Sequence, residues 1–277
     1  MREKEPRQMP AHPVFMDYDT PACQAVGQRI RAGAPFVYGL TNYVAAPLSA
    51  NVLLAVGAAP AIGAAPGWPD GFGARAGAMW VNAAGLINGS VEDMRTAIAA
   101  ANTAGVPWVL DPVAMGAGVA GYDALIRTLA AGGPAVIRGN ASEIMALAGG
   151  VGTARGVETT ATIAQAVPSG LMLAHRQKAI VAISGPEDHI LTPDGQQVVI
   201  PGGHRLLATV TGAGCALGGV IAAALAVTPV GPERLMAVAT AHALYARAAE
   251  MAARNAQGTA SFATGFVDAL SQLQQVA

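Results

Sequence analysis

The feature that most restricts the fold is an alternation. From about residue 36, short apolar runs take turns with longer Ala-rich segments, the pattern of parallel strands joined by crossover helices. Phe36–Leu40 reads as the first strand and 44–56 as a helix stopped at Gly57, with Pro47 in the first turn, where proline is tolerated. Ala78–Val81 reads as a strand, Glu92–Ala104 as a helix ended by Gly105, and Trp108–Leu110 as a strand halted at Asp111-Pro112. Ala135–Ile137 and Ala179–Ile183 are two more buried strands, and Ser142–Ala148 is a short helix closed by Gly149-Gly150. Two runs flanking Pro193-Asp194-Gly195 predict a hairpin at an antiparallel edge of the sheet. Helical stretches over 213–227, 232–254 and 261–275 fill the C-terminal third, so the expected class is α/β, a mainly parallel central sheet with helices on both faces. The Gly/Pro-rich segment 60–73 reads as an ordered surface loop or a lid.

Residues 1–13 carry Arg2, Lys4 and Arg7 with no apolar segment behind them, which reads as a disordered leader rather than a signal peptide, followed by one domain over 14–277. Only 12% of residues are charged while 53% are hydrophobic, a balance that predicts buried subunit faces and hence an oligomer. The net charge of -1, without a Lys/Arg cluster, argues against nucleic acid and anionic membrane as partners. The longest apolar stretch, 216–227, is too short to span a bilayer. Cys23 and Cys215 form neither a disulfide framework nor a metal pattern, as expected of a cytoplasmic protein.

In a sheet of this kind ligands bind beyond the carboxyl ends of the strands. The polar residues following the apolar runs are Thr41-Asn42, Asn82, Asp111, Arg138-Gly139-Asn140 with Glu143, and Ser184-Gly185. All are expected at one edge. Asp111 and Glu143 suit the orientation of Mg²⁺, which takes oxygen ligands and bridges nucleotide phosphates; a strand-end turn and a helix-start charge are the structural alternatives. Arg138, expected at the end of a buried strand, should meet a phosphate or a carboxylate. Between the hairpin and the helical third lies Val210-Thr211-Gly212-Ala213-Gly214-Cys215. Its glycines let backbone N–H groups approach an anion at a helix N-terminus, although no Gly-Lys-Ser/Thr follows as in a P-loop. Cys215 in the first turn is expected to have a lowered pKa and raised reactivity. Of the histidines, His175, His189 and His242 read as surface or packing residues, and His204, just before the cradle, as the one near the chemistry.

These pieces resemble the hydroxyethylthiazole kinases of thiamine salvage, within the ribokinase-like superfamily. The resemblance runs over about residues 35 to 275, through 40–44, 50–58, 109–113, 137–144 and 210–215 in family order. Many ribokinase-like enzymes carry aspartate where this family carries the cysteine matched by Cys215. The resemblance implies transfer of the ATP γ-phosphate to the primary alcohol of 4-methyl-5-(2-hydroxyethyl)thiazole, with Mg²⁺, in a homotrimer whose active sites lie between subunits. It further implies that Cys215 is catalytic, that Arg138, Ser184 and Gly214 contact ATP, that Asn42, Ile62 and Gly212 line the thiazole pocket, and that Asp111 and Glu143 organise the metal. Four positions depart from the family pattern. Ile62 stands where methionine is usual, Gly118 and Gly121 replace a Thr-x-x-Arg element, and Thr209 replaces a lysine. The chain therefore also fits a kinase for a related heterocyclic alcohol, or a non-catalytic nucleotide or thiazole binder.

Overall fold

A computed structural model describes residues 13–87, 89–150 and 161–275. The leader expected over 1–13 lies outside them except for Pro13. The strands are β1 (Val14–Phe15), β2 (Phe36–Leu40), β3 (Ala59–Ile62), β4 (Ala78–Asn82), β5 (Trp108–Asp111), β6 (Val136–Asn140), β7 (Ile180–Ser184), β8 (Asp188–Leu191) and β9 (Gln197–Ile200). The helices are α1 (Pro21–Gly33), α2 (Ala46–Ala55), α3 (Trp68–Gly73), α4 (Val91–Ala104), α5 (Ala120–Ala130), α6 (Ala141–Ala148), α7 (Ile163–Gln177), α8 (Ala213–Ala226), α9 (Glu233–Ala253) and α10 (Thr259–Gln275). The strands form one sheet in the order β1-β9-β8-β7-β6-β5-β4-β2-β3. Only β8 runs antiparallel to its neighbours.

The expected parallel sheet covered on both faces is present, and the strands show why. Alternate side chains enter opposite cores: Ala78 and Trp80 of β4, with Ile180 and Ala182 of β7, meet α1, α2, α8, α9 and α10. Met79, Val81, Val181 and Ile183 instead face the core built largely by α4 to α7. Local signals set the helix ends. Ser90 and Asp93 make a reciprocal capping box at the start of α4, and Gly105 ends it at φ 72°.

Two expectations change. The hairpin forms with Gly195 at φ 90° in its turn, but it is not the sheet edge, because β1 pairs with β9 and covers it. Segment 60–73 is not a loop: Ala59–Ile62 pairs with β2 as an edge strand, and Trp68–Gly73 is a short helix. The Tyr38 hydroxyl donates to the Gly63 carbonyl at 2.8 Å, and Phe72 packs edge-on against Phe36 and Tyr38.

Helix α8 is the axis of the first core. Eleven of its residues are buried. A Cβ on Gly218 would come within 3.0 Å of Trp80, so the helix lies closer to the sheet than an alanine there would allow. That close seating brings the first turn of α8 over the middle of the carboxyl edge.

Candidate active site

The parallel strands deliver their polar ends to a single row. Asn42 follows β2, Asn82 and Asp111 end β4 and β5, Arg138 is the middle residue of β6, and Ser184 ends β7. Those strands are consecutive neighbours in the sheet. Gly212 caps α8 at φ 85°, and a Cβ there would come within 2.9 Å of the Ala45 Cα, so conformation and space both require glycine.

Arg138 ties the row together. Its Nε and Nη2 donate to Ser184 Oγ at 3.1 and 2.9 Å, and its Nη1 donates to the Gly214 carbonyl at 3.0 Å. The same Nη1 lies 3.6 Å from Asp111 Oδ2, a carboxylate partner of the kind expected for Arg138. Asp111 is fully buried; Asn82 donates to its Oδ2 at 3.1 Å, while its Oδ1 has no hydrogen-bond partner among the described residues. Burial raises the Asp111 pKa well above the ordinary carboxylate range, Arg138 opposes that rise, and Glu143 adds to it.

Cys215 lies in the first turn of α8, beside Asn82, Asn42, Asp111 and Arg138. The expected lowering of its pKa is reversed. Burial and then the Asp111 carboxylate push the thiol up to about 11, against the pull of Arg138 and of hydrogen bonds from Asn82 and Asn42. A helix N-terminus favours the thiolate, but here that turn is packed under neighbouring side chains beside a carboxylate.

Glu143 has a structural task that its spacing only half revealed. Its Oε2 accepts from the Asn140 N–H at 2.8 Å in the capping box of α6, and its Oε1 accepts from the Ala114 N–H at 2.9 Å. Burial raises its pKa, while these two N–H groups and Arg138 restrain the rise. It thus clamps the loop after β5 behind Asp111.

On the β7–β9 side of Arg138 opens a cavity of about 590 Å³. Arg138, Ser184 and Gly214 line one end, and Ile200, Leu207 and Leu217 contribute apolar walls. Asn42, Gly212 and Cys215 fall on the other side, towards β2. Ile62 lies farther along, on edge strand β3 opposite Gly39. Five strand spacings separate β3 from β7, about 24 Å in all, so Ile62 does not share the cavity with Ser184. The Thr-x-x-Arg element missing from the family pattern leaves open space, since a Cβ at Gly118 or Gly121 would meet nothing within 4 Å. The cavity takes its other positive charge from Arg205, which the sequence reading passed over, next to His204.

His175 is exposed, and His189 is half-buried against Gln197. His242 is more than a packing residue: it is fully buried, with Nδ1 2.6 Å from Asp188 Oδ2. Asp188 and Tyr245, also missed, line the cavity. A spacing of three residues between His242 and Tyr245 on one helix is the signal that could have flagged them.

The model of the hydroxyethylthiazole kinase family matches residues 28–276. The hydroxyethylthiazole kinase of Burkholderia pseudomallei (strain 668) is 54% identical over 258 residues, 93% of this chain and 92% of that one. That of Burkholderia thailandensis is 57% identical over 247 residues, 88% and 92% of the two chains. Among solved structures, the hydroxyethylthiazole kinase protein from Pyrococcus horikoshii OT3 superposes with a TM-score of 0.80 at 29% identity, covering 90% of this chain and 92% of that one. A ribokinase-like superfamily protein from Enterococcus faecalis V583, at 12% identity and a TM-score of 0.65 over 95% of both chains, shares the fold. The architecture is ribokinase-like, and by the family match and these identities the chain belongs to the hydroxyethylthiazole kinase family.

Proposed function

We propose that this protein phosphorylates the primary alcohol of 4-methyl-5-(2-hydroxyethyl)thiazole with ATP, a step of thiamine salvage. The observation that carries the reading is the placement of α8. Its first turn separates a nucleotide-sized cavity, with Arg138 and Ser184 at one end, from the Asn42–Asn82–Cys215 group towards β2. Two reactants entering from opposite sides would meet at Gly212–Cys215.

In this mechanism Arg138, Ser184 and Gly214 bind the nucleotide, with Arg205 adding charge to the cavity wall. The N–H groups at the start of α8 receive charge developing on the transferred phosphoryl group. Asn42, Gly212 and Ile62 shape the thiazole side. Cys215 orients the attacking hydroxyl, and because its thiol is held protonated near neutral pH it contributes placement rather than basicity, the hydroxyl's proton leaving to an oxygen of the transferred phosphoryl group. Among the described residues no three His, Cys, Asp or Glu side chains form a metal cage. The donor set fits Mg²⁺ held mostly by phosphate and water, with Asp111 presenting its unpartnered Oδ1. Asp111 would hold the ion there, where it would supply charge to offset that of the phosphates. Glu143 would act behind Asp111 rather than as a direct ligand.

The reading includes a single kinase domain over 14–277, a cytoplasmic location and a homotrimer with sites between subunits. The trimer draws support from Tyr43, Val44 and Leu54, exposed apolar residues in the segment between β2 and edge strand β3. No helix among the described residues is long and apolar enough to cross a membrane. Incubation with ATP, Mg²⁺ and the thiazole alcohol, followed by mass spectrometry with Cys215→Ala as control, tests the proposal. Ile62 in place of methionine favours one second reading, a related heterocyclic alcohol as acceptor, so a panel of alcohols belongs in the same assay. Any phosphorylated product excludes a non-catalytic binder.

A further inference from the structure

Three residues of α9 bond to residues that line the cavity. His242 and Tyr245, three residues apart, share a side of the helix, and Glu250 stands about two turns beyond His242. His242 Nδ1 meets Asp188 Oδ2 at 2.6 Å, and Asp188 Oδ1 accepts from the Gly185 N–H at 2.9 Å, fixing the turn that carries Ser184. Tyr245 donates its hydroxyl to the Ala213 carbonyl at 2.8 Å, at the start of α8. Glu250 Oε1 accepts from the Gly203 N–H at 3.3 Å, in a loop where Gly202 and Gly203 both have positive φ. The carboxylate beside Nδ1 makes that nitrogen the donor, and Nε2 is buried with no hydrogen-bond partner among the described residues. A histidine that accepts an unsatisfied nitrogen in exchange for one short bond to a cavity-lining carboxylate is placed for that bond.

We propose that His242, acting through Asp188, and Tyr245, acting through Ala213, are positioning residues that set the nucleotide cavity from behind. The proposal rests on that cavity being the nucleotide site. His242 sets Asp188, Asp188 sets the Gly185 turn, and the adjacent Ser184 hydroxyl holds the Arg138 guanidinium. Tyr245 holds the opposite wall, so loss of either contact should loosen nucleotide binding and leave the thiazole side unchanged.

The test measures calorimetric affinity for Mg²⁺ and a non-hydrolysable ATP analogue alongside steady-state constants for both substrates, in the full-length protein. His242→Phe, which fills the space without the donor, should weaken analogue binding and raise KM for ATP about tenfold. His242→Asn, whose amide can donate where Nδ1–H stood, should recover affinity to within about threefold of wild type. Tyr245→Phe removes only a hydroxyl and should raise KM for ATP about fivefold. KM for the alcohol should change by less than about twofold in each. Unchanged nucleotide affinity in Tyr245→Phe, together with either a folded, unaffected His242→Phe or a His242→Asn no better than a destabilised one, overturns the proposal. Equal rises in both KM values also overturn it, because they mark a general structural role. A wild-type protein that binds no nucleotide would instead sink the functional reading itself.

Discussion

Removing the Arg138 guanidinium tests whether the row of strand ends is held by charge. Arg138→Met keeps much of the side-chain volume but deletes two bonds to Ser184, one to Gly214 and, among the described residues, the only cation paired with Asp111. Breaking a buried pair by removing one partner costs about 3–5 kcal/mol, because the remaining charge is stranded. In a chain of this size that lowers Tm by on the order of 10 °C. Asp111→Asn should cost less, since Arg138 also feels Glu143 and Asp188. Adding Asp111→Asn to Arg138→Met should recover about 2 kcal/mol. Asp111 is raised above its ordinary pKa by burial, and loss of Arg138 raises it further. A carboxyl that holds its proton more tightly when folded lowers stability as pH rises from its unfolded pKa towards its folded one. The deficit of Arg138→Met should therefore be larger at pH 8 than at pH 5.5. Denaturant unfolding of the four proteins at both pH values measures this, and additive costs within about 0.5 kcal/mol, equal at the two pH values, would refute the argument.

Cys215→Ala should lose most turnover at saturating substrate and Cys215→Asp should keep activity; full turnover in the alanine variant would remove the assigned role. With the thiol near 11, kcat should rise about tenfold per pH unit above neutral if the thiolate must be the base, and stay flat if Cys215 mainly places the hydroxyl. We expect the flatter profile, measured from pH 6.5 to 9. Gly212→Ala puts a Cβ 2.9 Å from the Ala45 Cα at φ 85°, and should cost at least about 1–2 kcal/mol with loss of activity, read by thermal melts and product formation. Leu54→Glu places a charge on an exposed apolar position of α2; sedimentation should show a smaller species, and an unchanged oligomer would remove that face from the interface.

The strands most legible in the sequence are those buried on both faces. Val136-Ile137 and Ile180–Ile183 are continuous apolar runs because helices cover both sides of the sheet. Strands β1 and β3 left little signal: β1 has two residues, and β3, the edge strand Ala59–Ile62, carries a proline and small side chains. Pro60 is tolerable at an edge, yet in sequence it signals a loop. Helix α7 carries Pro168 in its interior, which breaks the expected pattern even though Thr162 and Gln165 cap its start.

The same division runs through the site. Residues at strand ends could be placed from sequence because a parallel sheet sends every carboxyl end to one edge, whatever the side chains do next. Their chemistry could not be, because it depends on burial and on who else arrives. Cys215 is in the first turn of α8 as expected, but α8 is drawn against Trp80 through Gly218, and that packing places the thiol among Asn42, Asn82 and Asp111. Glu143 satisfies two backbone donors that come from different segments, of which only the Asn140 contact is local. Asp188 begins β8, whereas His242 and Tyr245 stand on a helix that begins nearly fifty residues after β7 ends, so their three-residue spacing could flag that pair but not its contact with Asp188. What the fold adds to the motif is therefore direction: the cavity lined by Arg138 and Ser184 and the Asn42–Asn82–Cys215 group lie on opposite sides of the first turn of α8, and the Cys215 thiol there is governed by burial and by the Asp111–Arg138 pair rather than by the helix end alone.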